Sequence, residues 1–117
     1  MTNYHEPANT LSNETRDFVR ALNSLKEEVE AVDWYQQRVD ASSSAELKAI
    51  MAHNRDEEIE HACMTLEWLR RNMDGWDEQL RTYLFTSAPI LEVEEAAESE
   101  DDASESSDKD LNIGNMK

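Results

Sequence analysis

The stretch RDEEIEHACM, residues 55–64, places polar side chains on a helix face where the neighbouring pattern predicts apolar ones. On a wheel of about 100° per residue, Glu58 and His61 fall near the centre of one face. Because an unpaired carboxylate is costly to bury, Glu58 has to be protonated, paired with a cation or bound to a metal. The rest of that face consists of Leu47, Ile50, Met51, Asn54, Thr65, Trp68 and Leu69.

The sequence before this stretch predicts a first long helix. It begins near Ser12, after Pro7, and runs to about Asp40. Apolar residues recur in it at steps of four, three, four and three, which is the spacing of a single helical stripe. That stripe consists of Phe18, Leu22, Leu25, Val29 and Val32.

A serine-rich break separates this helix from the second one. Ser43 and Glu46 have the spacing of a capping box, so we expect a second helix to open there and to last until about Asn72. Gly75 is the expected cap at its C-terminal end, and residues 76–85 predict a short third helix. Long helices joined by a short loop form hairpins. The predicted fold is therefore all-α, an antiparallel two-helix hairpin with a short C-terminal helix.

A single helical hairpin has little interior and leaves one side of each apolar stripe uncovered. Covering both stripes requires another pair of helices. We therefore expect the protomer to dimerise into a four-helix bundle.

Composition divides the chain into four segments. Residues 1–11 are expected to be a flexible N-terminus, and residues 12–91 the helical domain. Residues 92–110 are acidic and serine-rich with few apolar side chains, which predicts a disordered linker. Apolar residues then return within 111–117. Apolar side chains after a flexible tether indicate a docking peptide.

The chain is strongly acidic, with 27 acidic and 11 basic residues and a formal net charge of −16. This charge argues against nucleic acid and anionic membranes as partners and favours cations. A single cysteine, Cys63, cannot form an intrachain disulfide, which suits a reducing compartment. Because no membrane span or signal peptide is evident, we expect a soluble, unexported protein.

Glu28 lies at the edge of the apolar stripe of the first helix, so two helices present a Glu and a Glu-x-x-His to one interior. Glu58 and His61, three residues apart, point the same way from a helix and can bind one ion together. Di-iron carboxylate bundles use two such Glu residues and two such Glu-x-x-His pairs. This chain holds half of that set. A two-fold dimer supplies the other half, and its four site carboxylates match the charge of two divalent ions.

The residues alone leave a second interpretation open. In it, Glu58 forms an ion pair with Arg55 or Arg38, and His61 is a core histidine with its hydrogen bonds satisfied. The presence of Glu28 on the facing helix favours the metal site.

A second cluster lies on the other side of the first helix, where Glu27, Glu30 and Trp34 share a narrow arc. It is either a solvated acidic face or a second interface whose carboxylates attract incoming cations. Tyr35, at the edge of the apolar stripe, is a core aromatic or a hydrogen-bond partner of the metal site. His53 is a supporting group of the site or a surface residue.

Three segments closely resemble the encapsulated ferritins: EEVEAVDWYQQRVDA (27–41), AHNRDEEIEHACMTLEWLRRN (52–72) and LRTYLFT (80–86). The resemblance covers about residues 20–91. The end of the chain, LNIGNMK (111–117), is similar to the encapsulin-targeting peptide of that family, with Met116 where leucine is usual.

This resemblance implies a ferritin-like bundle built from dimers, in a decameric ring of five dimers inside a cytoplasmic encapsulin shell bound through 111–117. It implies a ferroxidase that oxidises Fe(II) to Fe(III) with O2 and holds two irons per dimer. Ca(II) or Zn(II) are the expected non-physiological occupants. The rivals are a rubrerythrin-like di-iron peroxidase and a non-catalytic metal-binding cargo protein. The implied ferroxidase centre is Glu28, Glu58 and His61 from two chains; the implied iron-uptake site is Glu27 and Glu30, with Trp34 beside it and Tyr35 near the iron.

Overall fold

The structure is a computed structural model that describes residues 4–107, with side chains described as far as residue 101. The described part is helical and contains no strand, which confirms the all-α prediction. None of its helices is both long enough and apolar enough to cross a membrane. The chain divides into two compact units, Met1–Asp74 and Gly75–Lys117. A 3₁₀-helix at Ala8–Thr10 is followed by α1 (Asn13–Ala41), α2 (Ala45–Asn72), α3 (Trp76–Tyr83) and α4 (Ile90–Ser107).

The first unit is the predicted antiparallel hairpin. Helix α1 begins where expected, because the Ser12 hydroxyl caps it by accepting the Thr15 amide at 3.0 Å. Two contacts fix the pairing of α1 and α2. Phe18 meets Trp68 edge-on with 6.3 Å between ring centroids, and Gln36 accepts a 2.7 Å hydrogen bond from Arg55. Residue numbers rise along α1 where they fall along α2, so the two helices are antiparallel.

The N-terminal cap of α2 differs from the prediction by one residue. Ser44, not Ser43, caps the helix, because its hydroxyl accepts the Leu47 amide at 3.2 Å. Ser42 already closes α1, with its amide and hydroxyl both donating to the Arg38 carbonyl. The chain reverses direction at Ser43 and Ser44, so the observed cap lies one residue after the predicted cap Ser43.

The predicted C-terminal cap of α2 was also wrong. The helix ends at Asn72, and Met73 is its capping residue, with its amide donating to the Leu69 carbonyl at 2.8 Å. Gly75 instead precedes α3 and adopts φ 101°, a backbone conformation that favours glycine. Helix α3 is two residues shorter than the predicted 76–85, because Leu84 is already extended with ψ 144° and Phe85 follows with φ 63°.

The hairpin buries few side chains within one protomer. Leu69 is the one fully buried apolar residue in the described part of the chain. A pair of helices has a single seam between them, so the flanks of both apolar stripes face solvent. The large apolar side chains left exposed on the first unit are Val29, Trp34, Leu47, Ile50, Ile59, Met64 and Trp68.

The second unit differs from the disordered linker predicted for 92–110. Its helix α4 packs on α3 and begins with the Glu92 and Val93 amides donating to the Pro89 carbonyl. Alanine and glutamate are good helix formers, so an acidic segment without an apolar core can still be helical. Residues 108–110 and the predicted docking peptide 111–117 lie outside the described residues.

The N-terminal segment also carries more structure than the predicted flexible stretch 1–11. Its 3₁₀-helix is held to α1 by Arg16, whose guanidinium donates to the Ala8 carbonyl. Residues 1–3 lie outside the described part.

Glu67 near the end of α2 is held by two arginines. Arg70 donates Nε to Oε1 and Nη2 to Oε2, both at 2.7 Å, and Arg71 donates Nε to Oε2 at 2.6 Å. The hydrogen bonds from Arg70, then the one from Arg71, lower the pKa of the Glu67 carboxyl to about 2. The stabilisation from this group is therefore present above about pH 4.5, the ordinary value, and is lost as the pH falls toward 2.

Replacing Ser44 tests the observed cap. Ser44→Ala should lower the free energy of unfolding by about 1 kcal/mol, because it removes the oxygen that accepts the Leu47 amide. Ser43→Ala is the matched control and should change the free energy of unfolding little. Chemical denaturation at a fixed protein concentration measures both. A larger loss in Ser43→Ala would contradict the assignment of the cap.

The Glu67 carboxyl should titrate at about pH 2 when followed by carbon NMR. In Arg70→Gln the midpoint should rise, because two hydrogen bonds to the ionised form are lost. In Arg71→Gln, where one bond is lost, it should rise less. A midpoint near 4.5 in the unchanged protein would contradict the ion-pair cluster.

Candidate metal centre

The antiparallel pairing brings Glu28 to the level of the Glu-x-x-His pair. Glu28 lies ten residues after Phe18, and Glu58 lies ten residues before Trp68, so equal distances along the helices separate them from that ring contact. When the two helices are aligned on the Gln36–Arg55 hydrogen bond instead, Glu28 lies level with the segment that follows His61. Glu28 on α1 and the Glu58–His61 pair on α2 therefore occupy the same stretch of the hairpin.

Glu58 and His61 approach one another on α2, as their spacing predicts. The His61 Nδ1 atom lies 3.5 Å from Glu58 Oε1, and the two side chains are 43% and 26% exposed. This distance exceeds the roughly 2.7–2.9 Å of a charge-assisted hydrogen bond, so the two groups face one another without forming one. A cation between or beside them can accept lone pairs from both the carboxylate and the imidazole.

Glu28 supplies the most informative atom of the site. Its Oε1 atom is buried and has no hydrogen-bond partner in the described structure. A buried carboxylate oxygen without a donor is costly, and a bound proton or metal ion removes that cost. The donor set of carboxylate oxygens and one imidazole fits a divalent first-row metal such as iron.

The alternative in which an arginine neutralises Glu58 is not the arrangement found. Arg55 directs its guanidinium to Gln36 and to Asp56. Arg38 lies over the ring of Tyr35, 5.3 Å from its centroid. The half-exposed imidazole partner of Glu58 is likewise not a buried core histidine.

The described part of one protomer does not form a complete metal site by itself. Within residues 4–101 no group of three or more His, Cys, Asp or Glu side chains is arranged to hold a metal ion. A single copy presents the Glu58–His61 pair on α2 and the separate Glu28 oxygen on α1.

The other predicted residues lie outside this cluster. Glu27, Glu30 and Trp34 are exposed on α1, with Trp34 48% exposed. Tyr35 is half-buried two helical turns after Glu28, and its ring contacts Arg38. His53 and the free thiol of Cys63 are exposed.

Gln36 is a neighbour of the site that the sequence pattern did not reveal. It belongs to α1 and holds Arg55 of α2 across the seam of the hairpin. Its position at the level of Arg55 depends on the pairing of the two helices, which no local motif encodes. The hydrogen bond from Arg55 is therefore the contact that points to it.

Comparison with known proteins identifies the relatives of this chain. The family model described as EncFtn-like matches residues 3–87. A ferritin-like protein of Thermotoga maritima is 66% identical over 92 residues, covering 79% of this chain and 81% of the relative. An encapsulated ferritin-like protein of Rhodospirillum rubrum is 64% identical over 92 residues, covering 79% of this chain and 66% of the relative.

A solved structure shares the fold as well as the sequence. The crystal structure of a protein from Nitrosomonas europaea superposes with a TM-score of 0.74 at 60% identity, covering 76% of this chain and 98% of that one. The match to the family model extends over more than half of the chain and includes both hairpin helices. The chain therefore belongs to the EncFtn-like family of encapsulated ferritin-like proteins.

Proposed function

We propose that this protein is a ferroxidase that oxidises Fe(II) to Fe(III) with O2 at a di-iron centre shared by two copies of the chain. The observation that carries the proposal is the partnerless, buried Oε1 of Glu28 at the level of Glu58 and His61. Membership of a ferritin-like family supports iron as the metal.

Two copies balance the charge of two ferrous ions. Each copy contributes the carboxylates of Glu28 and Glu58, so a two-fold dimer presents four negative charges to two divalent cations. His61 of each copy adds one neutral nitrogen ligand. Without metal, the four carboxylates repel one another across the interface, so metal binding and dimerisation are linked.

Iron is the substrate of this reaction, and the protein residues hold it while electrons leave. Two Fe(II) ions together give two electrons to O2, which takes up two protons from water and leaves as H2O2, and the Fe(III) products leave for mineral formation. The exposed carboxylates of Glu27 and Glu30 draw cations toward the protein, and Trp34 lies on the same face of α1. We assign Tyr35 a supporting role near the iron, with its ring oriented by Arg38.

The assembly we propose is a dimer within a ring of five dimers, located inside an encapsulin shell in the cytoplasm. The apolar side chains that one hairpin leaves exposed support association of copies. A relative bears the name encapsulated ferritin-like protein, which supports the shell as partner. In this proposal the docking peptide is the segment 111–117.

Iron oxidation should depend on all three ligands. The protein is loaded anaerobically with Fe(II), and air is then admitted. Fe(III) absorbance should rise at least about 100-fold more slowly in Glu28→Ala, Glu58→Ala and His61→Ala. Loss of a group that only supports a metal ligand already costs about 10–100-fold, and loss of the ligand itself should cost more. Glu57→Ala, next to the site but exposed, is the matched control and should retain the rate.

Two other outcomes would contradict ferroxidase activity, one in this experiment and one when hydrogen peroxide replaces air in the same assay. Binding of Fe(II) without oxidation indicates a non-catalytic cargo protein. A rate with hydrogen peroxide far above the rate with O2 indicates a rubrerythrin-like peroxidase.

Metal should tighten the dimer. In sedimentation velocity, anaerobic Fe(II) should shift the protein toward dimers or larger assemblies, and a chelator should reverse the shift. Glu28→Gln removes two of the four repelling charges, so without metal it should dimerise more readily than the unchanged protein and respond less to Fe(II). An assembly state unaffected by both Fe(II) and chelator would contradict the shared site.

A further inference from the structure

Arg55 is a cation placed where it can compete with a metal ion for Glu58. It precedes Glu58 by three residues on α2, the spacing at which helix side chains meet. The guanidinium is instead turned away. Its Nη1 donates to Gln36 Oε1 at 2.7 Å and its Nε to Asp56 Oδ1 at 3.0 Å, and the side chain is only 26% exposed.

Ion pairs at this spacing form elsewhere in the same chain. Arg20 meets the carboxylate three residues before it at 2.6 Å, Arg70 meets Glu67 at 2.7 Å, and Arg81 meets the carboxylate four residues before it at 2.9 Å. In each of these pairs the acid comes first. In the Arg55–Glu58 order the arginine comes first, which makes this ion pair weaker. Hydrogen bonds from Arg55 to other groups are therefore enough to prevent the ion pair from forming.

Of the two groups that hold Arg55, Gln36 is the better placed. Asp56 is the adjacent residue on the same helix and is 65% exposed, and neighbouring side chains on a helix diverge. Gln36 reaches Arg55 from the other helix, so its bond directs the guanidinium across the seam of the hairpin. Because the amide is neutral, it binds the arginine without adding a charge near the metal ligands.

We propose that Gln36 is a positioning residue for the metal centre. It keeps the Arg55 guanidinium away from the Glu58 carboxylate, which leaves that carboxylate free to bind a divalent cation. This inference rests on the proposed function, since it assigns Glu58 as a metal ligand.

Metal affinity, measured without turnover, tests the role of Gln36. Co(II) is a redox-stable probe whose binding is followed by its visible absorbance under anaerobic conditions. Gln36→Ala should weaken Co(II) binding about fivefold, which corresponds to about 1 kcal/mol for a partly exposed ion pair formed between Arg55 and Glu58. The weakening should shrink at high salt, because salt screens that pair. Gln36→Glu keeps an acceptor for Arg55 and should bind Co(II) nearly as well as the unchanged protein.

The second-site variant separates positioning from a general loss of structure. Removing the competing cation in Gln36→Ala/Arg55→Ala should restore the affinity lost in Gln36→Ala. Gln37→Ala is the matched control, because Gln37 is exposed on the same helix and donates to Asp33 rather than to Arg55. It should leave Co(II) binding unchanged.

Two results would overturn the inference while leaving the proposed ferroxidase intact. These are Co(II) binding by Gln36→Ala equal to that of the unchanged protein, and equal weakening in Gln36→Ala and in the double variant. If the unchanged protein bound neither Co(II) nor Fe(II), the proposed function and the role of Gln36 would both fail.

Discussion

The buried Oε1 of Glu28 needs a counter-charge that its own protomer does not provide, because no donor in the described structure reaches it. Glu58 and His61, at the same level on α2, face one another without forming a hydrogen bond. Glu58 and His61 are partly exposed and several large apolar side chains are exposed as well, so a second copy can cover both. In the proposed dimer, the second copy and the bound cation together provide that counter-charge.

The arrangement of the arginines reinforces that constraint. Arg20, Arg70 and Arg81 are matched with carboxylates one turn away on their own helices. Arg55 is directed to Gln36, and Arg38 to the face of Tyr35. These five arginines are therefore directed to groups other than Glu28 and Glu58, which the proposed function assigns as ligands of an incoming cation. The acidic excess of the whole chain acts in the same direction.

Periodicity was sufficient to predict α1 and α2 and to place Glu58 beside His61 on α2, because apolar spacing and Glu-x-x-His geometry are local properties. The cap of α2 was missed by one residue, since three consecutive serines offer equivalent hydroxyls and only the closing of α1 by Ser42 selects Ser44. Helix α4 was missed because an acidic composition indicates that a segment lacks an apolar core. It does not indicate that the segment cannot be helical. Gln36 became visible only once the two helices were paired.

Helix α4 changes the mechanical character of the connection to the predicted docking peptide. Its 18 residues form a rod about 27 Å long at 1.5 Å per residue. A flexible chain of that length would sample many end-to-end distances around roughly 23 Å. A helix instead holds its own two ends at a fixed separation. If 111–117 docks as proposed, its effective concentration at a binding surface depends on the fixed length of α4 as well as on the number of residues that follow the helix.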